Sequence, residues 1–129
     1  MKLGLYLHFP YCVSKCPYCD FNSYQLKEDN QISSYLSALY QEITAYSKKL
    51  KKSNIKTIYL GGGTPTILSG VQICNILEFC KDKFTIDKDA EITIEANPGT
   101  LDGEKIQLLI ESGINRLSLG AQSFNNLFL

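Results

Sequence analysis

The stretch His8–Phe21 reads HFPYCVSKCPYCDF and contains three cysteines in the spacing C-x3-C-x2-C, namely Cys12, Cys16 and Cys19. Such short spacings place three thiols on one loop around a single compact object. A disulfide uses two cysteines and a closed structural zinc site uses four ligands, so neither accounts for three. Thiolates suit iron–sulfur clusters, and three of them on a [4Fe–4S] cube leave one iron open to a substrate.

Two other interpretations of this motif stay open from the residues alone. A Cys3His zinc site would add His8 as the fourth ligand, although His8 is predicted to lie within the preceding strand. A redox pair would use the C-x2-C of Cys16 and Cys19, and would leave Cys12 without a role. The first of these alternatives is a small zinc-binding module, which is a different class of protein from an iron–sulfur protein.

Composition excludes several classes of protein. At 129 residues the chain is at most one domain, and 13 basic residues balance 13 acidic ones, so charge does not indicate a nucleic-acid partner. No apolar run approaches the roughly 20 residues that span a bilayer, and the N-terminus does not resemble a signal peptide. We therefore expect a cytoplasmic protein with reduced thiols. Cys74 and Cys80 lie among apolar residues at helical spacing and are predicted to be core thiols.

Predicted strands and helices alternate along the chain. Strands are expected at 3–9, 56–60, 91–96 and 116–121, and helices at about 30–50, 70–84 and 102–112. Asp29 or Asn30 is the expected cap of the first helix, and Ser69-x-x-Gln72 resembles a capping box for the second. The lysine run at 48–52 is interpreted as a solvated helix end. Strand–helix alternation predicts a parallel sheet with helices outside.

The predicted strands each have one apolar and one polar face. In the first strand Tyr6 and His8 oppose four apolar residues, and in the third Thr93 and Glu95 oppose isoleucines. A polar inner face predicts an open barrel around a polar ligand; an antiparallel edge strand is the alternative. The cysteine loop, the GGGTPT loop, Glu95 and Gln122 all follow carboxyl ends of strands, where ligands bind in such folds.

Four segments in register resemble the radical S-adenosylmethionine (SAM) superfamily. They are GLYLHFPYCVSKCPYCDFNSY (4–24), YLGGGTPTIL (59–68), ITIEANPGT (92–100) and GINRLSLGAQSF (113–124). Within the superfamily they resemble the family of oxygen-independent coproporphyrinogen III oxidase and the related HemW-type haem chaperones. The resemblance covers the whole chain and implies the N-terminal part of an open (β/α)6 partial TIM barrel, an α/β fold with parallel strands and helices outside.

The resemblance also implies roles for individual residues. Cys12, Cys16 and Cys19 would hold a [4Fe–4S] cluster, and SAM would bind the open iron and be cleaved with an electron from an external donor. The residues implied in SAM binding are Tyr6, Tyr18, Gly62, Gly63, Thr64, Glu95 and Gln122. No catalytic side chain is implied, and His8 receives no role.

The residues after Cys19 bear on the branch of the family. The oxidase has the pattern Cys-x-Cys here, with an extra cysteine two residues after the third cysteine of the motif. In this chain Cys19 is followed by Asp20 and Phe21. The resemblance therefore favours a chaperone that binds haem and transfers it to an acceptor protein. The alternative is an enzyme that oxidatively decarboxylates coproporphyrinogen III to protoporphyrinogen IX. Neither the haem acceptor nor the electron donor is identified by the sequence.

The end of the chain gives one further expectation. The fold that the chain resembles has six strands followed by a C-terminal domain, and only four strands are predicted here. We expect residues 1–129 to be the N-terminal part of the radical SAM core domain. The fourth strand would then have an open edge, and the isolated chain would be poorly soluble.

Overall fold

The computed structural model describes residues 2–50 and 53–128, so Lys51 and Lys52 of the lysine run lie outside the described residues. The strands and helices, in chain order, are β1 (Lys2–Phe9), β2 (Tyr11–Cys12), β3 (Tyr24–Gln25), α1 (Asp29–Lys49), β4 (Asn54–Gly62), α2 (Gly70–Lys83), β5 (Thr85–Ala96), α3 (Gly103–Glu111) and β6 (Arg116–Leu119). Short 3-10 turns occupy Pro65–Ile67, Pro98–Thr100 and Asn126–Phe128. The predicted alternation of strands and helices is confirmed.

The main sheet has the strand order β1-β4-β5-β6, and every neighbouring pair is parallel. The predicted parallel sheet is therefore confirmed, and the antiparallel alternative is wrong. The register places Tyr6 beside Tyr59, Tyr59 beside Thr93 and Thr93 beside Arg116. Because side chains alternate along a strand, these residues lie in one row on the same face of the sheet.

The opposite face of the sheet forms the hydrophobic core with the helices. Isoleucines and leucines of β4 and β5 pack against α2, and Leu60, Ile94, Ile73, Ile76 and Leu77 have no exposed surface. Cys80 is buried in the same cluster, and burial raises the pKa of its thiol to about 12. Cys80 is thus a core thiol, as predicted. Cys74 is half-buried, and its Sγ lies 3.4 Å from the carbonyl oxygen of Leu108.

The predicted starts of two helices have different outcomes. At α2 the capping box is present: the Gln72 amide donates to Ser69 Oγ (3.2 Å), and the Ser69 amide donates to Gln72 Oε1 (2.9 Å). At α1 the cap is Glu28 and not Asp29 or Asn30. The reason is that Gln31 Oε1 reaches back to the amides of Lys27 and Glu28, at 2.8 and 3.0 Å.

Strand β5 is longer than predicted and β6 is shorter. The first half of β5 is polar, but Asp87 accepts hydrogen bonds from Lys56 and Asn54 of β4, which extends the pairing to Thr85. These hydrogen bonds hold the pKa of Asp87 below its usual value. β6 ends before Gly120, and its four residues are exposed at the edge of the sheet. None of the described helices combines the length and apolarity needed to cross a membrane.

Candidate functional site

A cavity of about 780 Å³ opens at the carboxyl ends of the sheet strands. Its volume lies within the range of about 300–1,000 Å³ that is typical of small-molecule sites. The predicted site residues that line it are Cys12, Cys16, Tyr18, Cys19, Gly63, Thr64, Glu95 and Gln122. The structure therefore brings together residues that are up to 110 positions apart in the sequence, from Cys12 to Gln122.

The cysteine loop is closed at its base by a short strand pair that the sequence did not reveal. β2 pairs with β3, so that Tyr11 faces Tyr24 and Cys12 faces Gln25. The amide of Leu26 donates to the carbonyl of Cys12 (2.8 Å). Backbone hydrogen bonds of this kind fix the two ends of the loop on which the other two cysteines lie.

The three thiols share the cavity without forming a closed ligand set. Cys12 and Cys19 are half-buried, and Cys16 is exposed. Within residues 2–50 and 53–128, no three histidine, cysteine or acidic side chains lie together as metal ligands. All three sulfurs nevertheless line one space, and their donor chemistry fits an iron–sulfur cluster.

His8 is engaged within the protein. Its Nε2–H donates to the carbonyl oxygen of Asn22 (2.9 Å), and its Nδ1 accepts from the Tyr6 hydroxyl (3.1 Å). A carbonyl can only accept, which assigns the proton to Nε2. Because both ring nitrogens are used and His8 does not line the cavity, the structure disfavours the Cys3His zinc interpretation.

The glycine loop packs directly against the cysteine loop. A Cβ atom on Gly63 would lie 2.7 Å from the carbonyl oxygen of Tyr11 and 3.0 Å from Cys12 Sγ. The Thr64 amide donates to Tyr11 O (2.8 Å), and Thr64 Oγ1 lies 3.3 Å from Cys12 Sγ. Gly62, with a φ of +118°, has a conformation that favours glycine. Glycine is thus required at Gly63 for the approach of the two loops.

The carboxylate of Glu95 is held from the neighbouring strand. The hydroxyl of Tyr59 donates to Oε1 (2.7 Å), and the amide of Gly62 donates to Oε2 (3.0 Å). The hydrogen bond to Glu95, together with burial and the charge of Glu95, raises the pKa of the Tyr59 hydroxyl. Tyr59 was not among the site residues predicted from the sequence, although its position between Ile58 and Leu60 indicates the polar face of β4.

Three predicted site residues have more peripheral positions. Tyr6 does not line the cavity; its ring stacks on Tyr59, with centroids 5.9 Å apart and an interplanar angle of 27°. Tyr18 is exposed, and its interaction with the neighbouring Cys16 raises the pKa of its hydroxyl. Gln122 lines the cavity from a left-handed backbone conformation, with a φ of 60°.

Thr93, on the polar face of β5, is not accessible to a ligand, contrary to the expectation that this face is open. Thr93 is fully buried, and its hydroxyl donates to Glu91 Oε1 (3.0 Å). The same oxygen accepts from Arg116 Nη1 (3.1 Å). The Thr93 side chain therefore contributes to the sheet rather than to the cavity, and Glu95 is the acidic residue of β5 that faces the site.

A lysine that the sequence analysis missed ties two turns of the rim together. Lys105 Nζ donates to the carbonyls of Thr66 (3.0 Å) and Thr100 (2.9 Å). The hydroxyls of Thr66 and Thr100 are also hydrogen-bonded, at 2.5 Å. These contacts join the turn after the glycine loop to the turn after β5, and so fix one wall of the cavity.

Comparisons with known proteins agree with this geometry. A model of the radical SAM superfamily matches residues 6–129. The heme chaperone HemW of Haemophilus influenzae is 41% identical over 128 residues, which are 96% of this chain and 33% of that protein. The HemW of Escherichia coli is 42% identical over 123 residues, 95% of this chain and 32% of the relative. The HemW of Bacillus subtilis is 40% identical over 122 residues, with shares of 94% and 32%.

A solved structure is similar as well. The coproporphyrinogen III oxidase HemN from Escherichia coli, described as a radical SAM enzyme, superimposes with a TM-score of 0.89 at 34% identity. The similarity covers 95% of this chain and 28% of that one. The chain thus spans about a third of the length of the curated relatives that it matches. The parallel α/β sheet with outer helices matches the N-terminal part of that fold, and the chain belongs to the radical SAM superfamily.

Proposed function

We propose that residues 1–129 are the cluster-binding and SAM-binding part of the core domain of a radical SAM haem chaperone. The observation that carries the proposal is the single cavity lined by the three cysteines, the glycine loop and Glu95. When bound, a [4Fe–4S] cluster and SAM supply the reductive cleavage of SAM with an electron from an external donor. The chain itself binds these groups, orients them and limits the access of water.

Cys12, Cys16 and Cys19 are the proposed cluster ligands. Three thiolates on one loop hold three irons of a cube and leave the fourth without a protein ligand. Cys12 is held within the fold by contacts of its carbonyl and its sulfur and by its pairing with Gln25. Exposed free thiols such as Cys16 require a reducing compartment, so we place the protein in the cytoplasm.

Glu95 is the proposed contact to a positively charged group of SAM, which carries a sulfonium and an ammonium. Its two oxygens each accept one donor from β4, and a carboxylate has further lone pairs for a ligand. Gly63 and Thr64 line the cavity next to Cys12, where SAM would lie against the cluster. Tyr18, on the cysteine loop, and Gln122, after β6, would also contact SAM. Tyr6 and Gly62 do not line the cavity and would act by supporting the residues that do.

We assign haem binding and transfer to the full-length protein, with an acceptor protein that is not identified. One support is the name of the curated relatives, heme chaperone HemW, which are about 40% identical to this chain. The other is the sequence Cys19-Asp20-Phe21, which lacks the second cysteine of the Cys-x-Cys pattern of the oxidase. The similarity to the oxidase structure, at 34% identity, keeps coproporphyrinogen III oxidation as the second candidate.

The cluster ligands can be tested by iron uptake. Anaerobic reconstitution with iron and sulfide should give about four irons per chain. Cys12→Ala, Cys16→Ala and Cys19→Ala should each abolish this uptake, because two thiolates cannot hold the cube. Cys74→Ala is the matched control and should retain it, since Cys74 does not line the cavity. Stoichiometric zinc binding without iron uptake would contradict the assignment.

The role of Glu95 can be tested by the affinity for SAM. Glu95→Gln removes the charge with little change in volume, and should weaken SAM binding by about 1–3 kcal/mol, the value for a hydrogen bond to a charged group. Iron content should be unchanged. Glu91→Gln is the control, because Glu91 lies on the same face of β5 but outside the cavity. Equal affinities of wild type and Glu95→Gln, measured by calorimetry, would rule out this contact.

The choice between chaperone and oxidase requires the full-length protein. Titration with haem should give saturable binding, and the bound haem should pass to an acceptor. The same preparation, supplied with SAM and a reductant, should not convert coproporphyrinogen III to protoporphyrinogen IX. Turnover of coproporphyrinogen III without haem binding would contradict the chaperone function and support the oxidase function.

A further inference from the structure

Tyr59 is a polar side chain on the face of the sheet that carries Glu95, and the proposed function gives it no role. It lies at the middle of β4, one strand away from Glu95 on β5. Its hydroxyl donates to Glu95 Oε1 at 2.7 Å, which is a short hydrogen bond to a charged acceptor. Tyr59 itself does not line the cavity, so any effect on a ligand must pass through Glu95.

The two donors to Glu95 restrict its side chain in a specific way. Tyr59 holds one carboxylate oxygen and the Gly62 amide holds the other, and both donors belong to β4. A carboxylate gripped at both oxygens has a fixed plane, and its remaining lone pairs have fixed directions. Glu95 lines the cavity, and its side chain is already ordered when the protein folds. Ligand binding therefore causes little further loss of conformational entropy at this side chain.

Tyr59 is in turn held by its neighbours. Tyr6 stacks on its ring, and the Tyr6 hydroxyl is fixed by His8, which binds the carbonyl of Asn22 just after the last cysteine of the motif. The chain of contacts therefore runs from the cysteine loop across β1 and β4 to Glu95. The hydroxyl of a tyrosine is protonated at neutral pH, and the hydrogen bond to Glu95 raises the pKa of Tyr59 further, so the group is present as a donor.

We propose that Tyr59 is a positioning residue that aims the Glu95 carboxylate at SAM. This inference rests on the proposed function of Glu95 and adds the residue on which its orientation depends. The Gly62 amide fixes only one oxygen, so without the Tyr59 hydroxyl the carboxylate can rotate about that contact. Tyr59 is half-buried and lies outside the hydrophobic core cluster, and Tyr59→Phe retains the ring and removes the hydroxyl.

The test is a double-mutant cycle in the cluster-loaded protein, with the Kd for SAM as the readout. Tyr59→Phe should raise Kd by about 2- to 10-fold, the loss of one hydrogen bond. In the Glu95→Gln background, the same substitution should have little further effect, because the group that it positions has changed. Tyr46→Phe, an exposed tyrosine of α1, is the control and should bind SAM as the wild type does. Iron content should be equal in all variants.

A second readout needs neither cluster nor SAM. Glu95→Gln removes the negative charge that contributes to the raised pKa of both Tyr59 and Tyr6, so these two tyrosines should ionise at lower pH than in the wild type. In the Tyr59→Phe background, adding Glu95→Gln should leave only the change at Tyr6, so fewer tyrosines should shift than when Glu95→Gln is added to the wild type. If this difference is absent, the Tyr59 hydroxyl does not bind Glu95, and the positioning role is overturned.

The outcomes separate this inference from the proposed function. If Glu95→Gln binds SAM like the wild type, the proposed role of Glu95 fails, and the role of Tyr59 fails with it. If Glu95→Gln weakens binding but Tyr59→Phe does not, the positioning role alone is overturned. Additive effects in the double variant, or a loss of iron in Tyr59→Phe, would also overturn it.

Discussion

Parallel pairing of four strands in a fixed register is the constraint on which the rest of the structure depends. It brings the carboxyl ends of β1, β4 and β5 to one edge, so that the cysteine loop, the glycine loop and Glu95 meet there. A shift of one residue in β4 would move Tyr59 to the core face and Leu60 to the polar face. Since Leu60 has no exposed surface, burial of the apolar face fixes the register and thereby the site.

The glycine loop and the cysteine loop pack against each other as one unit. A side chain at Gly63 would collide with the base of the cysteine loop, and Thr64 approaches Cys12 through a hydroxyl–sulfur contact of 3.3 Å. Hydrogen bonds to metal-bound sulfur and the orientation of ligands are known to tune metal centres. The structure thus adds to the sequence motif a direct physical link between the loop expected to face SAM and the first cysteine of the cluster motif.

Several features with a local cause could be predicted from the sequence, although the cap of α1, set by the local contact of Gln31 with Glu28, was not. The capping box at Ser69 and the apolar periodicity of the strands depend on residues close in sequence, and both were predicted correctly. The contacts of Tyr59 and Lys105 were not predicted. Tyr59 binds Glu95, which is 36 positions away, and Lys105 binds the carbonyl of Thr66, which is 39 positions away. Thr93 was predicted on an open face but is buried, and its neighbours in the sheet, Tyr59 and Arg116, are distant from it in the sequence. Long-range pairing of this kind leaves no local pattern.

The central claim is that cluster and SAM occupy the same cavity, with SAM at the iron that the three cysteines leave open. Electron paramagnetic resonance of the reduced, reconstituted protein tests it most directly, because a ligand on the open iron changes the electronic environment of the cluster. The account predicts that the spectrum of the reduced cluster changes when SAM is added and saturates with SAM concentration. A cluster spectrum that stays unchanged at saturating SAM would contradict it.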